Sequence, residues 1–100
     1  MTEDLPRGEL FIAGRWRPSR DGATATTVDP STEEPIQAVA LATGADVDDA
    51  VAGARAAADG PLRAMPPARR GELLRHLARQ VEDRVEDLTR LETRDTGKPL

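Results

Sequence analysis

Large apolar side chains are scarce in this chain. Its one hundred residues include ten Leu, six Val, two Ile, two Met, one Phe and one Trp, and the other sixteen apolar residues are all Ala. Leu, Ile, Val and Phe together stay just below about a fifth of the chain, the level under which burial struggles to offset the entropy of ordering. A chain this short also buries only a modest share of its surface. The composition therefore suits a piece of a larger folded body better than a free-standing domain.

The residue inventory excludes several functions. With no cysteine there is no disulfide framework, no thiolate zinc site and no cysteine nucleophile within these residues. His76 is the sole histidine, which excludes a His-rich metal cluster. No apolar run approaches the roughly 18 residues that span a bilayer, so no membrane partner is expected. The opening Met1-Thr2-Glu3-Asp4-Leu5-Pro6-Arg7 is acidic, lacks a signal-peptide profile and points to a cytoplasmic protein. A net charge of -4 argues against a nucleic-acid partner. The charge is uneven: residues 1–50 carry -6 and residues 51–100 carry +2.

Along the chain, residues 1–9 are polar, contain Pro6 and Gly8, and read as a flexible arm. Strand signals follow at Leu10-Phe11-Ile12-Ala13, Thr24-Ala25-Thr26-Thr27-Val28 and Pro35 to Leu41, separated by turn residues at Pro18 to Gly22 and Asp29 to Thr32. This predicts a small antiparallel meander of three strands over about residues 10–42. A helix over about 44–58 opens on a Thr43/Asp46 capping box and stops at Asp59-Gly60-Pro61. A second helix over about 67–93 starts with Pro67 in its first position. Its Leu73, Leu74, Leu77, Val81, Val85, Leu88 and Leu91 recur every three or four residues, the strongest periodicity in the sequence. The opposite face is predicted to carry Arg79–Asp83 and Glu86–Arg90 pairs.

Most candidate motifs dissolve on inspection. Thr96-Gly97-Lys98 is no phosphate loop, because Glu92 stands where the first glycine belongs and Pro99 where Ser or Thr belongs. No G-x-G-x-x-G occurs. His76 reads as a helix-surface residue, since no convergent partner in a cleft is evident. Trp16 reads as a packing anchor. Asp95 is less ordinary: it sits at a helix end, where electron-rich carbonyls repel a carboxylate unless a cation or donor compensates. It either turns to solvent and local N–H groups or serves as an oxygen ligand for a hard cation.

The order and spacing of several segments carry a resemblance. They are Leu10-Phe11-Ile12-Ala13-Gly14-Arg15-Trp16, Val28-Asp29-Pro30-Ser31-Thr32 followed by Pro35-Ile36, and Ala45-Asp46-Val47-Asp48-Asp49-Ala50-Val51. Arg69-Arg70-Gly71-Glu72-Leu73-Leu74 and Leu91-Glu92-Thr93-Arg94-Asp95-Thr96-Gly97-Lys98-Pro99-Leu100 complete the set. Over residues 10–100 the chain resembles the N-terminal part of an NAD(P)-dependent aldehyde dehydrogenase. The resemblance implies an α/β fold, with residues 10–100 forming the N-terminal portion of a cofactor-binding domain. It also implies a much longer enzyme that oxidises aldehydes to acids with a cysteine nucleophile, passing hydride to NAD or NADP. Its partners would be the remainder of that chain and further copies in a homo-oligomer. The catalytic and dinucleotide-binding residues of such enzymes lie beyond Leu100, so none is assigned here, and the isolated chain is expected to be inactive.

One family site maps onto these residues. Some members resembling betaine aldehyde dehydrogenase bind a monovalent cation, potassium, within the subunit. The resemblance places its ligands at Thr27 and Val28, through backbone oxygens, and at the Asp95 carboxylate. Three positions depart from the family pattern: Asp29 replaces the usual Asn, Pro66 replaces a Ser or Thr cap, and Arg94 replaces an apolar residue. Arg94 is expected to pair with Asp95 and compete with a cation. The alternative reading is a stand-alone helical interaction module using the stripe on residues 73–91.

Overall fold

A computed structural model describes residues 5–100. Four strands come first: β1 (Leu10–Ile12), β2 (Arg15–Arg17), β3 (Thr24–Val28) and β4 (Pro35–Ala40). Four helices follow: α1 (Gly44–Asp59), α2 (Pro61–Ala64), α3 (Pro67–Glu82) and α4 (Val85–Thr96). The mixed α/β composition and the antiparallel strand region are those expected, but the three-strand meander is corrected to two separate hairpins. β1 pairs with β2 and β3 with β4, and no pairing joins the two sheets among the described residues. The extra strand follows from the turn at Ala13-Gly14. Both residues take positive φ, 51° and 79°, which matches the twist a two-residue hairpin turn needs. The chain therefore reverses there and sets Trp16 opposite Phe11, their rings 4.9 Å apart.

In the second hairpin, Thr24 faces Ala40 and Thr27 faces Gln37, with a one-residue register shift between Thr27 and Val28. The turn from Asp29 to Glu34 is closed by the Asp29 N–H donating to the Glu34 carbonyl at 2.9 Å and the Ser31 N–H donating to Asp29 Oδ1 at 2.8 Å. Residues 1–4 of the expected arm lie outside the described residues. The rest of that segment is tied to β4. Ala40 N–H donates to the Gly8 carbonyl at 2.7 Å, and Gln37 Nε2 to the Pro6 carbonyl at 2.7 Å. A Cβ on Gly8 would land on the Ala38 carbonyl oxygen, so this approach requires glycine.

α1 has the predicted cap. Thr43 Oγ1 accepts the Asp46 N–H, and the Asp46 carboxylate accepts the Thr43 N–H. Gly60 ends it, and Pro61 starts the single turn of α2, which the periodicity did not reveal. Pro66 caps α3 with no side-chain hydrogen bond, as its missing hydroxyl implies.

The long helix expected over 67–93 is corrected to two helices. Asp83 N–H reaches back to the Arg79 and Val81 carbonyls, Arg84 N–H bonds Val81 at 3.1 Å, and Arg84 turns non-helical at φ -115°, ψ 15°. The i−4 ladder tightens to i−3 and stops. Glu82, Asp83 and Arg84 put no apolar side chain there to hold a straight helix against a surface, and Asp favours caps over interiors. The spacing Val81–Val85–Leu88 runs through the break unchanged, which is why periodicity alone passes over it.

Among the described residues no hydrophobic side chain is buried. Leu74 is 67% exposed, Leu77 59% and Val85 55%. The radius of gyration is 16.9 Å, against about 13 Å for a compact domain of this length. Among the described residues, α3 and most of α4 present apolar side chains that stay largely exposed.

Candidate functional site

The polar architecture concentrates at two joints. The first lies between β2, the loop after it, and the start of α1. The capping box fixes Asp46 in the first turn of α1, and the β2 strand and its loop bring Arg17 and Arg20 onto it. Asp46 has no exposed surface. Arg17 Nη1 donates to its Oδ1 at 2.7 Å, the Arg20 N–H to Oδ2 at 3.2 Å, and the Thr43 N–H to Oδ2 at 2.8 Å. The Thr43 N–H holds this carboxyl well below its ordinary value of 3.8, with Arg17 and Arg20 adding to the effect and burial opposing it. One turn further along, Asp49 accepts from Arg17 Nη2 at 3.2 Å and from the Arg20 guanidinium. That bond from Arg20 also raises its own pKa. Sequence reasoning recovered the cap but missed the two arginines, because nothing in local spacing announces partners 26 and 29 residues away.

The second joint lies between the β3–β4 hairpin and α4. The side of the hairpin, the Pro6-Arg7 segment and one face of α4 line an open cavity of about 300 Å³. Thr27, Gln37, Glu92 and Asp95 supply its polar lining, and Ile36, Val39, Leu88 and Leu91 its apolar lining. Thr27 and Asp95, two of the three residues expected to hold a cation, thus face one space. Thr27 Oγ1 donates to the Gln37 carbonyl at 3.2 Å across the hairpin. Val28, the third, ends β3 opposite Pro35, is 48% exposed and does not line the cavity. Asp95 is exposed in the last turn of α4. Thr27 and Asp95 offer oxygens, the ligand type that suits a hard cation, and Arg7 and Gln37 share the lining. Among the described residues no group of three or more His, Asp or Glu could hold an ion by side chains. An ion here would need main-chain carbonyls.

The guanidinium of Arg94, expected beside Asp95, reaches across to the hairpin turn, its Nε 3.9 Å from Asp29 Oδ2. Gly97 caps α4 in the left-handed conformation, φ 77°, and its missing side chain lets Pro30 approach: a Cβ there would stand 3.1 Å from Pro30 Cγ. Two contacts therefore seat the end of α4 on the turn between β3 and β4.

The other residues weighed from the sequence stay apart from both joints. His76 lies exposed on α3, its Nε2 3.2 Å from Gln80 Nε2. Trp16 is 44% exposed, packs against Phe11 with the rings tilted by 47° and lies under the Arg7 guanidinium at 5.4 Å. Arg7 is also ion-paired to Glu9.

A sequence model of the aldehyde dehydrogenase family matches residues 16–100. The chain belongs to the aldehyde dehydrogenase family. It is 44% identical to an aldehyde dehydrogenase from Aspergillus niger, over 91% of its own length and 18% of the relative's. Its fold matches aldehyde dehydrogenase from Bacillus cereus with a TM-score of 0.89 at 37% identity, covering 94% of this chain and 19% of that one. Betaine aldehyde dehydrogenase from Staphylococcus aureus, solved with NAD+, matches at TM-score 0.85 and 33% identity, over 91% of this chain and 18% of its own. The chain thus spans about a fifth of the length of the relatives it matches. No helix among the described residues is long and apolar enough to cross a membrane.

Proposed function

We propose that this chain is the N-terminal structural part of a cytoplasmic, homo-oligomeric NAD(P)-dependent aldehyde dehydrogenase, which oxidises aldehydes to carboxylic acids. The observation that carries this reading is a family member with no buried hydrophobic side chain among its described residues. Such a body needs an apolar surface supplied by the rest of a longer protein. When bound, the nicotinamide accepts hydride from the substrate, a task for which this chain supplies no residue. Its own residues brace. The Asp46 joint locks the first hairpin to α1, the Asp29–Arg94 and Pro30–Gly97 contacts seat α4, and the stripe on α3 and α4 offers the face to be covered.

The same reading makes the second cavity a site for a monovalent cation, potassium, held by the carbonyls of Thr27 and Val28 and the Asp95 carboxylate. The support is that Thr27 and Asp95 line one space, with Arg7 and Gln37 sharing its lining and Val28 at its margin.

The decisive experiment supplies the full-length protein, and separately the hundred-residue chain, with an aliphatic aldehyde and NAD+ or NADP+. Reduced nicotinamide is expected from the full-length protein alone. Turnover by the isolated chain, or none by the full-length protein with any aldehyde, would reject the reading.

A further inference from the structure

The sequence holds no asparagine, and aspartate precedes glycine twice, at Asp21-Gly22 and Asp59-Gly60. An Asp-Gly bond has a chemistry of its own. With no Cβ to hinder it, the glycine nitrogen can attack the aspartate Cγ and close a five-membered ring. The fold treats the two bonds differently. Asp59 lies in the last turn of α1. The Gly60 N–H donates to the Ala56 carbonyl at 3.0 Å, and the Gly60 carbonyl accepts the Ala64 N–H at 3.2 Å as α2 begins. A Cβ on Gly60 would stand 2.9 Å from the Ala56 carbonyl oxygen. Ring closure requires the peptide between Asp59 and Gly60 to leave its helical orientation, and bonds on both sides hold it there.

Asp21 and Gly22 lie exposed in the loop between β2 and β3. Gly22 takes φ 72° and has open space where a Cβ would stand. One turn bond holds it, its N–H donating to the Ser19 carbonyl at 3.0 Å. The Asp21 carboxylate is folded back over this turn. Its Oδ1 accepts the Ala23 N–H at 2.9 Å and lies 3.1 Å from the Ser19 hydroxyl. These groups hold the carboxyl along the peptide that follows it. They are also aimed at the oxygen on which negative charge develops when Cγ is attacked.

We infer that Asp21-Gly22 is a site of spontaneous backbone isomerisation, and that the reaction loosens the joint between the first hairpin and α1. The Gly22 nitrogen bonds to Cγ of the protonated Asp21 carboxyl. The carboxyl hydroxyl leaves with the Gly22 amide proton as one water, and a cyclic imide remains. One water then reopens the ring. Opening at Cγ restores aspartate. Opening at the original main-chain carbonyl leaves an isoaspartyl residue, with the chain running through the former side chain and one extra carbon in the backbone. Water is the only co-reactant, and nothing is oxidised or reduced. The lengthened residue directly follows Arg20, whose N–H and guanidinium hold Asp46 and Asp49, and stands two residues from the buried Ser19.

The test ages the full-length protein and its Asp21→Glu variant in neutral buffer, alongside the parent unfolded in guanidinium chloride. Proteolytic digestion and electron-transfer fragmentation distinguish isoaspartate from aspartate at each site. In the folded parent, isoaspartate should accumulate at residue 21 about tenfold faster than at residue 59, a modest share of what positioning and oriented donors supply. In the unfolded parent the two sites should react at similar rates, because only local sequence acts there. The thermal midpoint of the aged parent should fall. That of aged Asp21→Glu should hold, since glutamate would have to close a slower six-membered ring. Equal accumulation at both sites in the folded protein overturns the assignment, as does none at residue 21 while the unfolded sample reacts. A midpoint that falls equally in both aged proteins, or that holds in the parent while residue 21 isomerises, overturns the loosening of the joint.

Discussion

Asp46 is a carboxylate without exposed surface, surrounded by the N–H groups of Thr43 and Arg20, the Thr43 hydroxyl and the Arg17 guanidinium. Burying an unpaired charge is costly, so these partners account for its presence. Its carboxyl is held below its ordinary value of 3.8. A group depressed in this way stabilises the fold at every pH above that value and loses its contribution as pH falls through the lower, folded one. In the full-length protein the thermal midpoint should therefore drop more steeply between about pH 5 and pH 2 in the parent than in Asp46→Asn. Parallel acid limbs would show that Asp46 is not the titrating group. The sequence disclosed half of this arrangement. Thr43 and Asp46 are three residues apart, so local chemistry fixes their bonds, whereas Arg17 and Arg20 arrive only through the path of the first hairpin.

Helix ends tell a similar story. Gly97 is legible as a cap because only glycine takes a positive φ at little cost, but its second task, admitting Pro30, depends on where the hairpin turn lies. Gly97→Ala should destabilise the full-length protein by about 1–2 kcal/mol through the left-handed conformation alone. Adding Pro30→Ala should relieve only the clash, leaving most of that loss, as urea midpoints would reveal. Full recovery in the double variant would assign the cost to the contact instead. The break at Asp83-Arg84 lies on the other side of this divide: apolar spacing continues across it, so the periodicity that located one helical stretch over 67–93 conceals the junction within it.

At the scale of the molecule, two hairpins and three longer helices spread over 49 × 34 × 20 Å around no buried apolar side chain among the described residues. Opened in this way, the stripe from Leu73 to Leu88 leaves large apolar area in water, an aggregation liability. The isolated hundred-residue chain should therefore lack a cooperative thermal transition and should self-associate at micromolar concentration, as calorimetry and light scattering would record. A sharp melt of a monodisperse monomer would contradict the bracing role and favour the free-standing helical module.

Composition alone determined that this chain lacks the bulk for a core, and local signals determined the strand region, the proline-led start of α3, the α1 cap and the family. Those features depend on residues within a few positions of each other, or on totals, and need no three-dimensional information. Only the tertiary structure decided that the strands form two hairpins, that Arg17 and Arg20 close over Asp46, that Thr27 and Asp95 face one cavity and that Arg94 reaches Asp29. Each of these joins residues far apart in sequence, and their meeting is set by the direction in which turns and helix breaks send the chain.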